Sequence, residues 1–141
     1  MSFAIKAEVR DPSAETFAFR AQKTMYGGKS IAKGAEIFIF ASENEGGTGL
    51  VACGVVTSAR ATPKQPGSER QTPRVSITLR RTALAKRSLG RRELRGFCDG
   101  DDRRPEAELD FKLYRQATNK IVGISEEAAA FLRQFLARRK R

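Results

Sequence analysis

The amino-acid sequence predicts an α+β domain: a small barrel-like sheet of mostly antiparallel strands, with helices flanking its rim. Three observations lead there. Residues 2–9 and 74–82 alternate apolar and polar side chains with a period of two, the pattern of strands covered by a core on one side. Between them, two apolar runs joined by the glycine-rich "EGGTG" read as a hairpin. The closing segment "SEEAAAFLRQFLA" repeats its apolar residues at helical spacing. The chain has 141 residues, enough for one domain with a real core. The expected unit is 1–137, followed by a basic tail, 138–141.

The elements follow in order. In "SFAIKAEV", Phe3, Ile5, Ala7 and Val9 share one face and Ala4, Lys6 and Glu8 the other, which predicts a half-buried strand. "DPSAETFAFRAQ" reads as a short helix, with Asp11 or Ser13 as its N-cap and Pro12 at an early helical position. "EIFIF" is a strand entered from the Lys33-Gly34 turn, and "LVACGVVTSARA" is its return partner. A polar, proline-rich loop leads to "RVSITLRRT", with Val75, Ile77 and Leu79 inward and Arg74, Ser76, Thr78 and Arg80 outward. "ALAKRSLGRRELRGF" is a basic connection in which Gly90 interrupts any long helix. "AELDFKLYRQATNKIVGI" holds one or two short elements of ambiguous period. In the last helix Ser125 is the cap, two glutamates occupy the first turn, and Ala128, Leu132, Phe135 and Leu136 form one face.

Composition removes several classes of function. There is no histidine, so the commonest metal ligand and the commonest general base are missing, together with any Ser-His or Cys-His pair. Cys53 lies in an apolar strand and Cys98 in a polar loop, without zinc spacing. "FCDGDD" hints at a cation loop but lacks the oxygen-ligand spacing of a calcium site. Neither a metal nor a cofactor is expected. No run reaches the ~18 apolar residues of a membrane span, and the N-terminus lacks the features of a secretion signal. A cytosolic location is the expectation, where both cysteines stay reduced.

The net charge is +11, and it is unevenly spread. Residues 1–50 hold six basic and six acidic side chains, whereas 74–104 hold ten basic against four acidic. Such asymmetry is the footprint of a polyanion binder, although solvated arginines alone would produce it too. Arginine predominates there, and its planar fork matches phosphate oxygens. Arg80, Arg81, Arg91 and Arg92 are the candidate phosphate contacts.

Gly28-Lys29-Ser30 resembles the end of a phosphate-cradling loop. That loop requires a glycine five residues before Gly28, and Lys23 stands there. It also requires a strand running into a helix, whereas a turn and the run "EIFIF" follow. Nucleotide hydrolysis is therefore not indicated.

The succession of blocks resembles the EVE domain of the PUA-like superfamily, a pseudo-barrel related to the YTH and ASCH domains. Lys6-Ala7-Glu8-Val9 stands where that family has a Lys-Ser-Glu-Pro-like motif. Lys33-Gly34-Ala35 stands for its Lys-Gly-Asp turn, and "FIFAS" supplies the aromatic and serine, Phe40 and Ser42. "GLVACGVVTSA" is similar to its glycine-led strand, and "KIVGISEEAAAFL", preceded by "LYRQATN", to its final strand and helix. The blocks span nearly the whole chain in the family's order.

The resemblance implies a PUA-like pseudo-barrel and a nucleic-acid-binding module, a non-catalytic reader of a modified or flipped base in DNA or RNA. It places the Gly28-Lys29-Ser30 loop beside a base pocket, although a plain turn explains those glycines equally. Lys6, Glu8 and Ser42 are the implied edge readers. The family's pockets often sandwich a base with tryptophan, and this chain has none. Tyr26 and Tyr114 are the stacking candidates that replace it; Phe38 and Phe40 share a strand face, so they are core or pocket. The alternative, from the ASCH group, is a small amidohydrolase acting on acylated cytidines through Lys6, Glu8 and Thr24. A glutamate beside Lys6 would raise its pKa and oppose that role.

Overall fold

The computed structural model describes residues 2–62, 67, 74–95, 104–116 and 118–137. Its strands are β1 (Ser2–Ala7), β2 (Thr16–Met25), β3 (Glu36–Ala41), β4 (Gly49–Ala61), β5 (Arg74–Leu84) and β6 (Lys120–Ile124). They close into a barrel in the order β1-β3-β4-β5-β2-β6. Pairing is parallel for β1–β3 and β2–β6 and antiparallel for the other neighbours. The helices are α1 (Arg91–Leu94), α2 (Pro105–Leu109), which runs on into a π-helical turn at Asp110–Tyr114, and α3 (Glu126–Ala137). The predicted α+β pseudo-barrel is the fold observed. Cys98, the acidic loop around it and the tail 138–141 lie outside the described residues. Among the described residues no helix is long and apolar enough to cross a membrane.

Side-chain alternation sorts the apolar residues into two layers. Phe3, Ile5, Ile37, Ile39, Val56 and Ile77 fill the barrel. Ala4, Phe38, Phe40 and Val122 point the other way and pack under α2 and α3, against Leu109, Leu113 and Leu132. β1 was expected to be half-buried, yet all six of its residues are buried. It lies between β3 and β6, with the barrel core on one face and the helical layer on the other, so neither face meets water. The same geometry decides Phe38 and Phe40. Both are 0 % exposed, and they belong to the outer core.

The helix expected over residues 11–22 is a strand. Asp11 does act as a cap, but of a turn: its Oδ1 accepts from the backbone N–H and the hydroxyl of Ser13. Beyond it, Phe17 and Phe19 alternate inward against exposed Thr16, Ala18 and Arg20, and pairing with β5 overrides the weak helical propensity of this stretch. A bulge follows at Ala21, in the left-handed region at φ 50°. Its N–H donates to Ser76 Oγ at 2.8 Å and its carbonyl accepts from Arg74 at 2.9 Å. This bend lets β2 leave β5 and reach β6, which closes the barrel. The predicted cap of α3 is as expected, with Ser125 Oγ accepting from the Ala128 N–H.

Candidate functional site

Parallel pairing brings β1 and β3 to an end at the same level, with Lys6 beside Phe40 and Ala7 beside Ala41. One step on, the Ser42 N–H donates to the Ala7 carbonyl at 2.8 Å, which extends the ladder and holds Ser42 next to Lys6. Lys6, Phe40 and Ser42 therefore share the outer face of the sheet, where the helical layer stops. The π-helical turn, closed by Arg115 N–H donating to the Asp110 carbonyl at 3.1 Å, sets Tyr114 beside them, edge-on to Phe40. Such a turn often marks a functional position.

The result is a cleft of about 170 Å³ lined by Lys6, Ser42, Glu43, Asn44, Arg91, Tyr114 and Arg115. Four of the residues anticipated from sequence, Lys6, Ser42, Tyr114 and Arg91, meet there. Phe40 does not line it: it is fully buried, packed edge-on against Tyr114, and offers no surface to a ligand. Glu43, Asn44 and Arg115 were not anticipated, because nothing local distinguishes them from other surface polar residues.

The remaining anticipated residues lie elsewhere. Glu8 is exposed beyond the end of β1, 3.6 Å from Arg10. Tyr26 packs on Phe111 and beneath Lys112, and its carbonyl accepts from Gly123, three residues along β6 from Lys120, the partner of Lys6. Gly28, Lys29 and Ser30 form a 3₁₀ turn, entered through Gly27 at φ 83°. A Cβ on Gly28 would overlap the Ile121 carbonyl oxygen and lie 2.8 Å from its carbon. That glycine serves the chain's own close packing, and the loop does not border the cleft. Among the arginines, Arg80 and Arg92 are exposed away from it, and Arg81 is committed to the fold, donating to the Ser13 and Ala14 carbonyls.

Two lysines give the cleft its electrostatic character. Lys6 lies over the Tyr114 ring, 5.4 Å from its centroid, and donates to the Gln116 carbonyl at 3.3 Å. Its register partner Lys120 is 1 % exposed and donates to the same carbonyl at 3.2 Å, as well as to those of Thr118 and Leu113. Burial, then the Lys6 charge, pushes Lys120 down to about 8. Burial and Arg91 lower Lys6, against the opposite pull of Glu43 and Glu45. The expectation that Glu8 raises the Lys6 pKa is corrected, since Glu8 faces solvent. Lys120 was missed in the sequence because "NKIVGI" shows only a lysine opening an apolar strand.

The Tyr114 hydroxyl is buried, with the Glu43 carboxylate as its near neighbour. Burial raises its pKa, and the charges of Glu43, Glu93 and Asp110 raise it further. Glu43 is itself anchored, accepting from the Arg91 N–H at 2.7 Å. The cleft thus sets three cations, an ordered carboxylate, a side-chain amide and a hydroxyl around an aromatic ring. Glu8 and Thr24, which acyl-cytidine hydrolysis would require beside Lys6, do not line it.

No family model and no curated protein matches this sequence. Solved structures do. The DUF55 domain of human thymocyte nuclear protein 1 superposes with a TM-score of 0.65 at 12 % identity, over 99 % of this chain and 100 % of that one. Human THYN1 protein in complex with 5-methylcytosine-containing DNA gives 0.62 at 12 % identity, covering 99 % of each chain. A hypothetical protein from Leishmania major gives 0.60 at 15 % identity, over 95 % of this chain and 93 % of that one. The closed six-stranded barrel with its flanking helices is the fold of these DUF55-type, EVE-like structures.

Proposed function

We propose that this chain is a non-catalytic nucleic-acid-binding module, a reader of a modified or flipped base, and that the base enters the Lys6–Ser42–Tyr114 cleft. The observation that carries the reading is the full-length likeness to a structure bound to 5-methylcytosine-containing DNA. The cleft supports it. Pockets for drug-sized ligands run to about 300–1,000 Å³, so ~170 Å³ suits one planar ring rather than a whole nucleotide. A base leaving its stack would lie beside the Lys6–Tyr114 pair with its edge towards Ser42, Asn44 and Glu43. A carboxylate there is suited to accept from an exocyclic amine such as that of cytosine. Arg91 and Arg115 at the rim would neutralise the flanking phosphates. A cytosolic setting, where thiols stay reduced, is part of this reading.

The test is a binding titration of short single- and double-stranded oligonucleotides that differ at one cytosine, methylated or not. The methylated strand should bind more tightly. Glu43→Gln and Asn44→Ala should each reduce that preference, within the roughly 1–3 kcal/mol that a good edge contact contributes. Equal affinity for both oligonucleotides, unchanged in these variants, would remove base reading and leave only a basic surface.

A further inference from the structure

Three large apolar side chains are exposed among the described residues: Tyr26, Leu84 and Phe111. Single exposures of this kind are ordinary, but two of these touch. Tyr26 is 42 % exposed and Phe111 41 % exposed, and their ring centroids lie 5.8 Å apart with the planes tilted by 57°. Each ring also carries a cation. Lys112 Nζ lies 5.6 Å from the Tyr26 centroid, and the Arg115 guanidinium 4.9 Å from that of Phe111. The Lys112 ammonium is paired with Glu108 and donates to the Gly123 carbonyl, so it braces Tyr26 from the protein side. Arg115 is exposed and also lines the base cleft. One guanidinium thereby joins the cleft to the aromatic pair. The backbone holds Tyr26 there against its own preference, with φ at 53°, a left-handed conformation that a bulky residue seldom adopts. The Gly123 N–H donates to the Tyr26 carbonyl at 3.1 Å, and a Cβ on that glycine would come within 2.6 Å of the same oxygen. Strain of this kind persists only where the surroundings impose it, and it clusters at ligand-binding positions.

We propose that Tyr26 and Phe111 form a stacking platform for the base adjacent to the one in the cleft, on a single-stranded stretch of nucleic acid, with Arg115 contacting the phosphate between the two. The proposal rests on the base-reading function and names the form of strand that the site takes. An exposed ring backed by a cation is a surface on which bases stack whatever their sequence, because every base has a π-face. The positive charge of Arg115, set between platform and cleft, complements the phosphate that links two successive nucleotides. In a closed duplex the neighbouring base is covered by its own stack, and uncovering it costs free energy. The platform therefore favours single strands over duplexes. It adds affinity without reading sequence, while the cleft supplies the discrimination.

The experiment is a fluorescence-anisotropy titration of the intact protein with labelled single-stranded DNA carrying one 5-methylcytosine. Abasic sites are placed in turn on either side of that base, and each strand is also made with plain cytosine. The variants are Phe111→Leu, which keeps apolar bulk, Tyr26→Asn, which suits the left-handed backbone, and the two combined. An abasic site at one flanking position should weaken wild-type binding at least about fivefold. Each single variant should lose part of that factor on the intact strand and the double variant all of it. In the double variant the same abasic site should then cost less than about twofold, because the interaction it removes is already gone. A purely structural role for the rings would not produce this coupling. The preference for methylated over plain cytosine should be unchanged in every variant, and it reports base reading separately. Equal affinity of wild type and both single variants for the intact strand would overturn the platform, whether or not that preference is seen. So would the absence of any flanking abasic penalty in the wild type, a result that needs no variant to fold.

Discussion

Lys120 offers the sharpest test of how this fold holds charge near the cleft. It is buried, with a pKa brought from an ordinary 10.5 to about 8, and at about 1.4 kcal/mol per unit the charged form costs the folded state roughly 3 kcal/mol. The sign follows from proton uptake. Between about pH 8 and 10.5 the unfolded chain holds a proton that the folded chain has released, so stability rises with pH in that window. Below pH 8 both states are protonated and the full cost is present. Replacing Lys120 with Met abolishes this titration but removes its hydrogen bonds to the Leu113 and Thr118 carbonyls, while the Gln116 carbonyl keeps Lys6, a loss of about 1–3 kcal/mol for each carbonyl left unsatisfied. The absolute stability of the variant thus mixes two opposed effects, whereas its pH dependence isolates one. Urea denaturation at pH 7.5 and 9.5 should show wild type gaining roughly 2 kcal/mol relative to Lys120→Met at the higher pH. Parallel curves would mean that Lys120 titrates as an exposed lysine does, and the account of a disfavoured charge pair would fall with it.

Three further outcomes are expected. Gly28→Ala should destabilise by about 1–3 kcal/mol or more through collision with the β6 backbone, while Lys29→Ala and Ser30→Ala stay within about 0.5 kcal/mol; thermal unfolding of the three variants compares them directly. Glu108, whose pKa burial raises but hydrogen bonds from Ser125 and the Lys112 ammonium depress further, should lend α3 stability that is present above its unfolded pKa and lost as pH falls through the lower folded value. Glu108→Gln should flatten that part of an acid titration followed by circular dichroism. Arg91→Ala should weaken all oligonucleotides alike and reduce the log–log salt slope by about one, whereas Tyr26→Ala should leave discrimination between methylated and plain cytosine intact, since Tyr26 is not at the cleft.

What the sequence determined by itself is the part set by local periodicity. Alternation in 2–7 and 74–80, the glycine-rich link before β4 and the Ser125 cap each depend on neighbours within a few residues, and each marks an element that the structure has, although β1 is buried on both faces rather than one. The strand at 16–25 was missed for the same reason: Pro12 and Asp11 make a turn that locally mimics a helix start, and only the distant partner β5 selects the extended form. Tertiary structure alone decided the site. Closing the barrel placed β6 beside β1, and that pairing set Lys120 against Lys6 although 114 positions separate them. It also took Tyr26 and the Gly28 turn to a different level of β6 and carried Glu43 and Arg91 to the cleft from separate segments. A side chain's facing direction is a local property of its strand, legible from alternation; which side chains meet depends on strand order and register, and those are settled by the burial of the whole sheet.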